Sequence, residues 1–220
     1  EYKGTLNINT EAGDTVDESI EITLQPQTSV VIMDQYTGQV KAIVGGRGTK
    51  QTSLSLNRAT DSTRQPGSTF KVVSTYAPGL NECGMTLATS IKDEPYEYAN
   101  GKPVRNWDGK YIGSATVRYA IEHSMNVCAV RTLTETVGLE KGYEYLQKFG
   151  FTTLVDGTDE NYPGHTDIAQ STALGGITRG VYNMELTAAF ASIANGGEYT
   201  EPVLYTQILD HDGNVLIDNT

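Results

Sequence analysis

Apolar positions fall in short β-branched blocks at the two ends of the chain and in helical spacing through its middle. Ser29-Val-Val-Ile-Met-Asp34 and Gln39-Val-Lys-Ala-Ile-Val44 are joined by Gln35-Tyr-Thr-Gly38, a short loop ending in glycine, and predict a hairpin of two strands. Because Val30 to Met33 are all apolar, the first strand is expected to be covered on both faces. Gly45, Gly46 and Gly48 break the pattern, and 49–63 reads as polar loop. Pro66-Gly-Ser68 ahead of Thr-Phe-Lys-Val-Val-Ser-Thr-Tyr-Ala77 predicts a helix opening at or near Ser68 and stopping at Pro78-Gly79.

From Lys92 to Gly113 the chain is aromatic and turn-rich. Thr116 can cap a short helix running to His123, and Asn126 can start another that runs to Val137 and ends at Gly138, with Ser124-Met125 as the bend between them. Further helices are predicted from Leu139 to Phe149, closed by Gly150, and from Met184 to Ala194, closed by Asn195-Gly-Gly197. Strands at 203–209 and 214–217 flank Asp212-Gly213, a strong hairpin signal. Strands, a helix-rich middle and strands again argue for mixed α/β or α+β packing. Residues 1–28, rich in Thr, Glu, Asp and Asn, read as a linker or peripheral strand before a main domain at 29–220.

Composition narrows the function classes. A formal charge of −11 without a Lys/Arg cluster argues against a nucleic-acid partner. No apolar stretch is long enough to span a bilayer and no signal peptide opens the chain, so any membrane anchor is expected outside it. Glu1 at the start and unpartnered strands at the end suggest a fragment. Cys83 and Cys128 lack metal-ligand spacing; Cys128, in an apolar helical run, reads as a small buried hydrophobe rather than half of a bridge.

A serine hydroxyl attacks a carbonyl only when a neighbouring base takes its proton. Ser68 and Lys71 lie three apart at a predicted helix N-terminus, so the lysine can fold back toward the hydroxyl, and the free N–H groups there favour developing negative charge. Lysine is a base only when neutral, so either burial lowers its proton affinity or another group relays the proton. Ser-x-x-Lys alone arises by chance in about every second chain of this size. Ser124-Met-Asn126 adds a hydroxyl that can pass a proton and a carboxamide that can meet a substrate amide, and the two converge only if the helix breaks between them. Taken alone, Asn126 would more often be a helix cap. The scattered His123, His165 and His211 give little support to a Ser-His-Asp triad. Trp107 and Tyr111 read first as packing beneath a long loop and second as lining of a cleft; Asp210 and Asp212 read as turn formers.

Arg64-Gln-Pro-Gly-Ser-Thr-Phe-Lys71, followed about fifty residues later by Ser124-Met-Asn126, resembles the first two motifs of the penicillin-binding protein and serine β-lactamase superfamily. Val31 to Gly46, Asn106-Trp107, Ala173-Leu-Gly-Gly176 and Ala194-Asn-Gly-Gly-Glu-Tyr199 are similar to the bifunctional class A penicillin-binding proteins, and the likeness covers roughly residues 29 to 213. It implies a serine β-lactamase/D,D-transpeptidase-like α/β fold, an antiparallel sheet with a helical subdomain, and acyl transfer without cofactor or metal. Ser68 would be nucleophile, Lys71 proton acceptor, Ser124 relay and Asn126 a substrate-amide contact. Stem peptides of the bacterial cell wall and β-lactam antibiotics would be partners, outside the cytoplasmic membrane.

The third motif of that superfamily, Lys-Thr-Gly or Lys-Ser-Gly, occurs nowhere in the 220 residues. The resemblance places it on a strand beside the nucleophile, supplying half the oxyanion hole. That strand is expected downstream, in a missing C-terminal part of the same domain that could accompany these residues as a separate chain, and the 220 residues alone are expected to be inactive. The rival readings are a β-lactamase or D,D-carboxypeptidase, in which water resolves the acyl-enzyme, and a non-catalytic β-lactam-sensing module. No acidic residue in a recognisable deacylation motif follows Asn126, which disfavours the lactamase; the presence of both Ser68 and Lys71 disfavours a dead module.

Overall fold

A computed structural model describes residues 26–50 and 52–219. The expected linker or peripheral strand at 1–28 therefore lies almost entirely outside the described residues. Strands β1 (Val30–Met33) and β2 (Val40–Val44) form the predicted antiparallel hairpin, with a bulge between Ile32 and Met33. Its turn is closed by the Asp34 carboxylate, which accepts from the Tyr36 and Thr37 N–H groups, and by Gly38 at φ +72°.

The region from 66 to 82 is one helix with three windings. A 3₁₀ turn at Gly67–Thr69 carries Ser68, a π-helical stretch spans Lys71–Tyr76, and α1 (Ala77–Glu82) completes it. The predicted stop at Pro78-Gly79 is thus incorrect: the helix continues a further turn. Pro78 cannot donate to the carbonyl of Ser74 and its ring crowds that carbonyl, and the chain answers by winding more loosely just before the proline rather than by ending.

Beyond α1, β3 (Ser90–Asp93) pairs with β6 (Gly113–Thr116), and the excursion between them holds the small hairpin β4 (Tyr96–Glu97) and β5 (Pro103–Val104). Thr116 caps α2 (Val117–Glu122), its Oγ1 accepting from Tyr119 N at 3.2 Å. Next come α3 (Asn126–Thr132), which continues as a π-helical turn to Val137, and α4 (Leu139–Lys148). Then follow α5 (Asn183–Ala194) and the hairpin of β7 (Gln207–Leu209) and β8 (Val215–Asp218). At its turn Asp210 accepts from the backbone of Asp212 and Asn214, as a turn former does. The segment ahead of β7 contributes only a bridge from Val203 to Gln39, not the continuous strand expected from 203.

Two apolar clusters hold these elements. One gathers Val127, Cys128, Ala129 and Val130 of α3 around Tyr76, Leu133, Val117 and Val104; the other joins Phe70 and Val73 to Leu146, Phe151, Ile177, Val181 and Ala189. The helix that bears Ser68 contributes to both, so it is fixed from two sides, each fully buried Phe or Val supplying about 1.5–3 kcal/mol. Cys83 and Cys128 are free thiols, Cys128 fully buried among apolar neighbours. The expectation for β1 fails in the described residues. Val31 and Met33 are partly buried on the side that packs on α5, whereas Val30 and Ile32 are 46% and 56% exposed, because no element among the described residues covers the other face.

Candidate active site

The segment leading into Ser68 is clamped to the loop at 175–181. Arg64 and Val181 exchange two backbone hydrogen bonds, and the Gln65 carboxamide donates to Ile177 O at 2.6 Å and accepts from Ile177 N at 3.0 Å. Gly175, at φ +71°, lies against the backbone of Gly67 where a β-carbon would collide with it. Ser68 itself is exposed in the 3₁₀ turn, three residues ahead of Lys71, which opens the π-helical stretch of the same helix.

Lys71 is 3% exposed. Its Nζ donates to Ser124 O at 2.6 Å, Ser124 Oγ at 2.9 Å and Asn126 Oδ1 at 2.6 Å, which uses all three protons of an ammonium. Burial away from water opposes that charge and pulls the group from its ordinary 10.5 down to about 8. The Cys128 thiol close by is pushed up to about 12, chiefly by its own burial, and stays neutral.

Ser124 and Asn126 reach the lysine because the helix does break between them. α2 ends at Glu122 with His123 as its C-cap, Ser124 takes the left-handed conformation at φ +50°, and Met125 is extended before α3 begins. A non-glycine residue held there costs on the order of 1–3 kcal/mol, which three contacts to Lys71 from this turn help to offset. Asn126 Nδ2 donates to Arg105 O at 2.8 Å, so the carboxamide is tied at both ends and keeps one N–H free among the described residues.

The structure thus brings Lys71, Ser124 and Asn126 into direct contact, with Ser68 exposed at the start of the helix that bears Lys71 and making no hydrogen bond to it among the described residues. One participant was not identified from the sequence as part of the site. The buried side chain of Asn106 accepts from the N–H of Asn126 at 2.9 Å and of Val127 at 3.2 Å, and donates to Asp93 Oδ1 at 2.8 Å and Lys110 O at 2.9 Å. A cap supplied from twenty residues upstream has no local spacing signature, and only the Asn106-Trp107 pair drew notice to it. Trp107 corrects the packing expectation: it is 82% exposed, turned out as Asn106 turns in. Tyr111 is part-exposed, its hydroxyl donating to Val104 O at 3.4 Å. His123 stacks on Tyr119 at the surface.

Residues 28–219 match the family model described as the penicillin binding protein transpeptidase domain. The chain is 37% identical over 203 residues to penicillin-binding protein 1A of Clostridium tetani, covering 89% of this chain and 25% of that protein. It is 38% identical over 191 residues to penicillin-binding protein 1F of Bacillus subtilis, covering 87% and 24%. The crystal structure of penicillin-binding protein 1A from Haemophilus influenzae superposes with a TM-score of 0.72 at 28% identity, over 90% of this chain and 28% of that one. PonA1 of Mycobacterium tuberculosis in complex with penicillin V shares the fold, with a TM-score of 0.73 at 22% identity over 87% of this chain and 50% of that one. The chain spans about a quarter of the length of these curated relatives. With the two motifs meeting at one lysine in this mixed α/β fold, the chain belongs to the penicillin-binding protein transpeptidase family, as a class A transpeptidase domain.

Proposed function

We propose that this domain carries out D,D-transpeptidation of peptidoglycan stem peptides through an acyl-enzyme on Ser68, on the outer side of the cytoplasmic membrane, anchored by a segment beyond these residues. The observation that carries the reading is the convergence of Ser124 Oγ and Asn126 Oδ1 on the buried Lys71 Nζ. At about 8, roughly one Lys71 in ten is neutral at pH 7 and able to accept a proton. Loss of that proton releases one of the three contacts and lets Ser124 Oγ reverse, donating where it had accepted.

In the acylation step the Ser68 hydroxyl gives its proton to Lys71 as its oxygen bonds to the carbonyl carbon between two D-alanines. The tetrahedral intermediate collapses with cleavage of the C–N bond, and the proton passes by way of Ser124 to the departing amine. An amine from a neighbouring stem peptide then attacks the ester carbonyl and loses its proton to the same lysine, and as the C–O bond to Ser68 breaks that proton passes to the Ser68 oxygen, restoring the hydroxyl. The free N–H of Asn126 is placed to hold a substrate amide carbonyl. A Lys-Thr-Gly strand from outside this chain would complete the oxyanion hole, and a β-lactam would enter as a mimic of the peptide and stay on Ser68.

The test is labelling by a fluorescent penicillin of a polypeptide that joins this chain to its Lys-Thr-Gly strand. A stable adduct on the peptide containing Ser68, together with cross-linking of a stem-peptide substrate, supports the reading. Rapid release of the adduct by water would replace it with a β-lactamase, and an adduct without cross-linking would replace it with a sensor.

A further inference from the structure

We infer that Asn106, anchored by the buried carboxylate of Asp93, is a positioning residue that sets where Asn126 meets Lys71. The inference rests on the acyl-transfer reading for its activity test and on geometry alone for its structural one. The first N–H groups of any helix lack partners within it, and the side chain of Met125, at the cap position of α3, takes no hydrogen bond from them. Asn106 Oδ1 fills that place for both Asn126 and Val127. Its own carboxamide cannot swing, because both protons of Nδ2 are committed, one to Asp93 and one to Lys110 O.

Asp93 is in turn fixed at the end of β3, fully buried, with Oδ2 accepting from Ile112 N at 2.9 Å. A continuous series therefore runs from β3 through Asp93 and Asn106 to the backbone of Asn126, and through its side chain to Lys71. Arg105, next to Asn106, gives the carbonyl that holds Asn126 Nδ2, so one turn of chain fixes both the backbone and the carboxamide of Asn126. None of these groups touches Ser68, which makes Asn106 and Asp93 positioning rather than catalytic residues. A buried Asp facing an Asn, with every polar atom assigned, leaves one orientation for the amide.

The experiment uses the polypeptide carrying the Lys-Thr-Gly strand and measures the second-order rate of penicillin acylation against pH, with thermal unfolding alongside. Asn106→Ala should lower the rate by about 10–100-fold, the scale expected of a misplaced contact. It should also move the acid limb of the profile to lower pH, because an ammonium that loses the Asn126 Oδ1 acceptor gives up its proton more readily. Among the described residues the titratable group facing Lys71 from α3 is the Cys128 thiol, with Asp93 and Arg131 acting on that thiol from further off.

Asn106→Asp should be worse, since it sets a carboxylate against Asp93, and the Asp93→Asn/Asn106→Asp exchange should recover most of that extra loss by restoring a donor–acceptor pair. This comparison decides the matter if the alanine variant does not fold. In a crystal structure of Asn106→Ala, or of Asn106→Asp if that is the one that folds, the Asn126 carboxamide should leave Lys71. Parent-like rate and midpoint in the single variants, no recovery on exchange, or an Asn126 to Lys71 contact kept at 2.6 Å would each overturn the inference. A parent enzyme that does not acylate would instead count against the acyl-transfer reading, leaving the structural test to judge Asn106.

Discussion

Gly175 packs its α-carbon against the backbone of Gly67, one residue before Ser68, with no space for a side chain between them. Two constraints coincide there: the left-handed φ of +71° and the close approach. Gly175→Ala should therefore cost about 1–3 kcal/mol from the backbone conformation alone, with more from the collision. It should slow penicillin labelling further by displacing the 3₁₀ turn that carries Ser68. Chemical unfolding and labelling rates measured together check this; a variant as stable and as fast as the parent would show that the contact does not set the turn.

Ser68→Ala should abolish the mass increase produced by penicillin. Lys71→Ala should be nearly as damaging, and the double variant scarcely worse than either, because a nucleophile and its base act as a unit. Intact-protein mass spectra read this directly, and an adduct on another serine would remove Ser68 from its role.

Acylation should rise with pH around a midpoint near 8, where Lys71 loses its proton. Stability carries the same sign. Below about pH 8 the lysine is protonated in both folded and unfolded chains and its burial weighs against folding; from 8 up to 10.5 the unfolded chain holds the extra proton, so stability grows with pH. Lys71→Met should remove this slope, as seen by comparing denaturant midpoints of parent and variant at pH 7 and pH 9.5.

Glu82, at the end of α1, accepts from Tyr145 Oη at 2.6 Å and Lys141 Nζ at 2.5 Å on α4. The hydrogen bond to Lys141, followed by that to Tyr145, holds its carboxyl down at about 2 from an ordinary 4.5. A lowered carboxylate contributes stability above its unfolded value and loses it as pH falls through the folded one, here between about 4.5 and 2. Glu82→Gln should flatten melting temperature against pH across that window and leave acylation unchanged at neutral pH.

Residues 1–220 expressed alone should not be acylated. One oxyanion-hole donor is worth about 2.7–4 kcal/mol of transition-state stabilisation, and the strand expected to supply it lies outside this sequence. The exposed faces of Val30, Ile32 and Val44 add a tendency to associate. Penicillin mass-labelling of the isolated 220 residues, before and after addition of the downstream segment, tests this; stoichiometric labelling without it would show that two motifs suffice.

Local signals were legible in the sequence wherever a residue acts on its near neighbours. Thr116 as a cap, the bend at Ser124 and the Gly38 turn all follow from short spacings, whereas the meeting of Lys71 with Ser124 and Asn126, more than fifty residues apart, was legible only through the resemblance of the two motifs to a known family. What escaped is long-range. β3 and β6 pair across about twenty residues through Ser-Ile-Lys-Asp and Gly-Ser-Ala-Thr, each with a single buried apolar position, too few to show an alternation, and Asn106 caps a helix it does not precede. The apolar run at Val30 to Met33 said which residues favour a strand but not how many faces are covered, and Pro78, a stop in most helices, was absorbed by a change of winding.

That change of winding has a consequence for which substitutions the domain tolerates. A π-helical stretch turns less per residue than an α-helix, so the six residues from Lys71 to Tyr76 set the rotational phase between the turn bearing Ser68 and the segment anchored in the core. Pro78, two residues beyond the stretch, has no N–H to offer the carbonyl of Ser74 and so favours that winding, although it bears no reacting group. Replacing it would let the stretch rewind, swinging Ser68 around the helix axis while every catalytic side chain kept its identity.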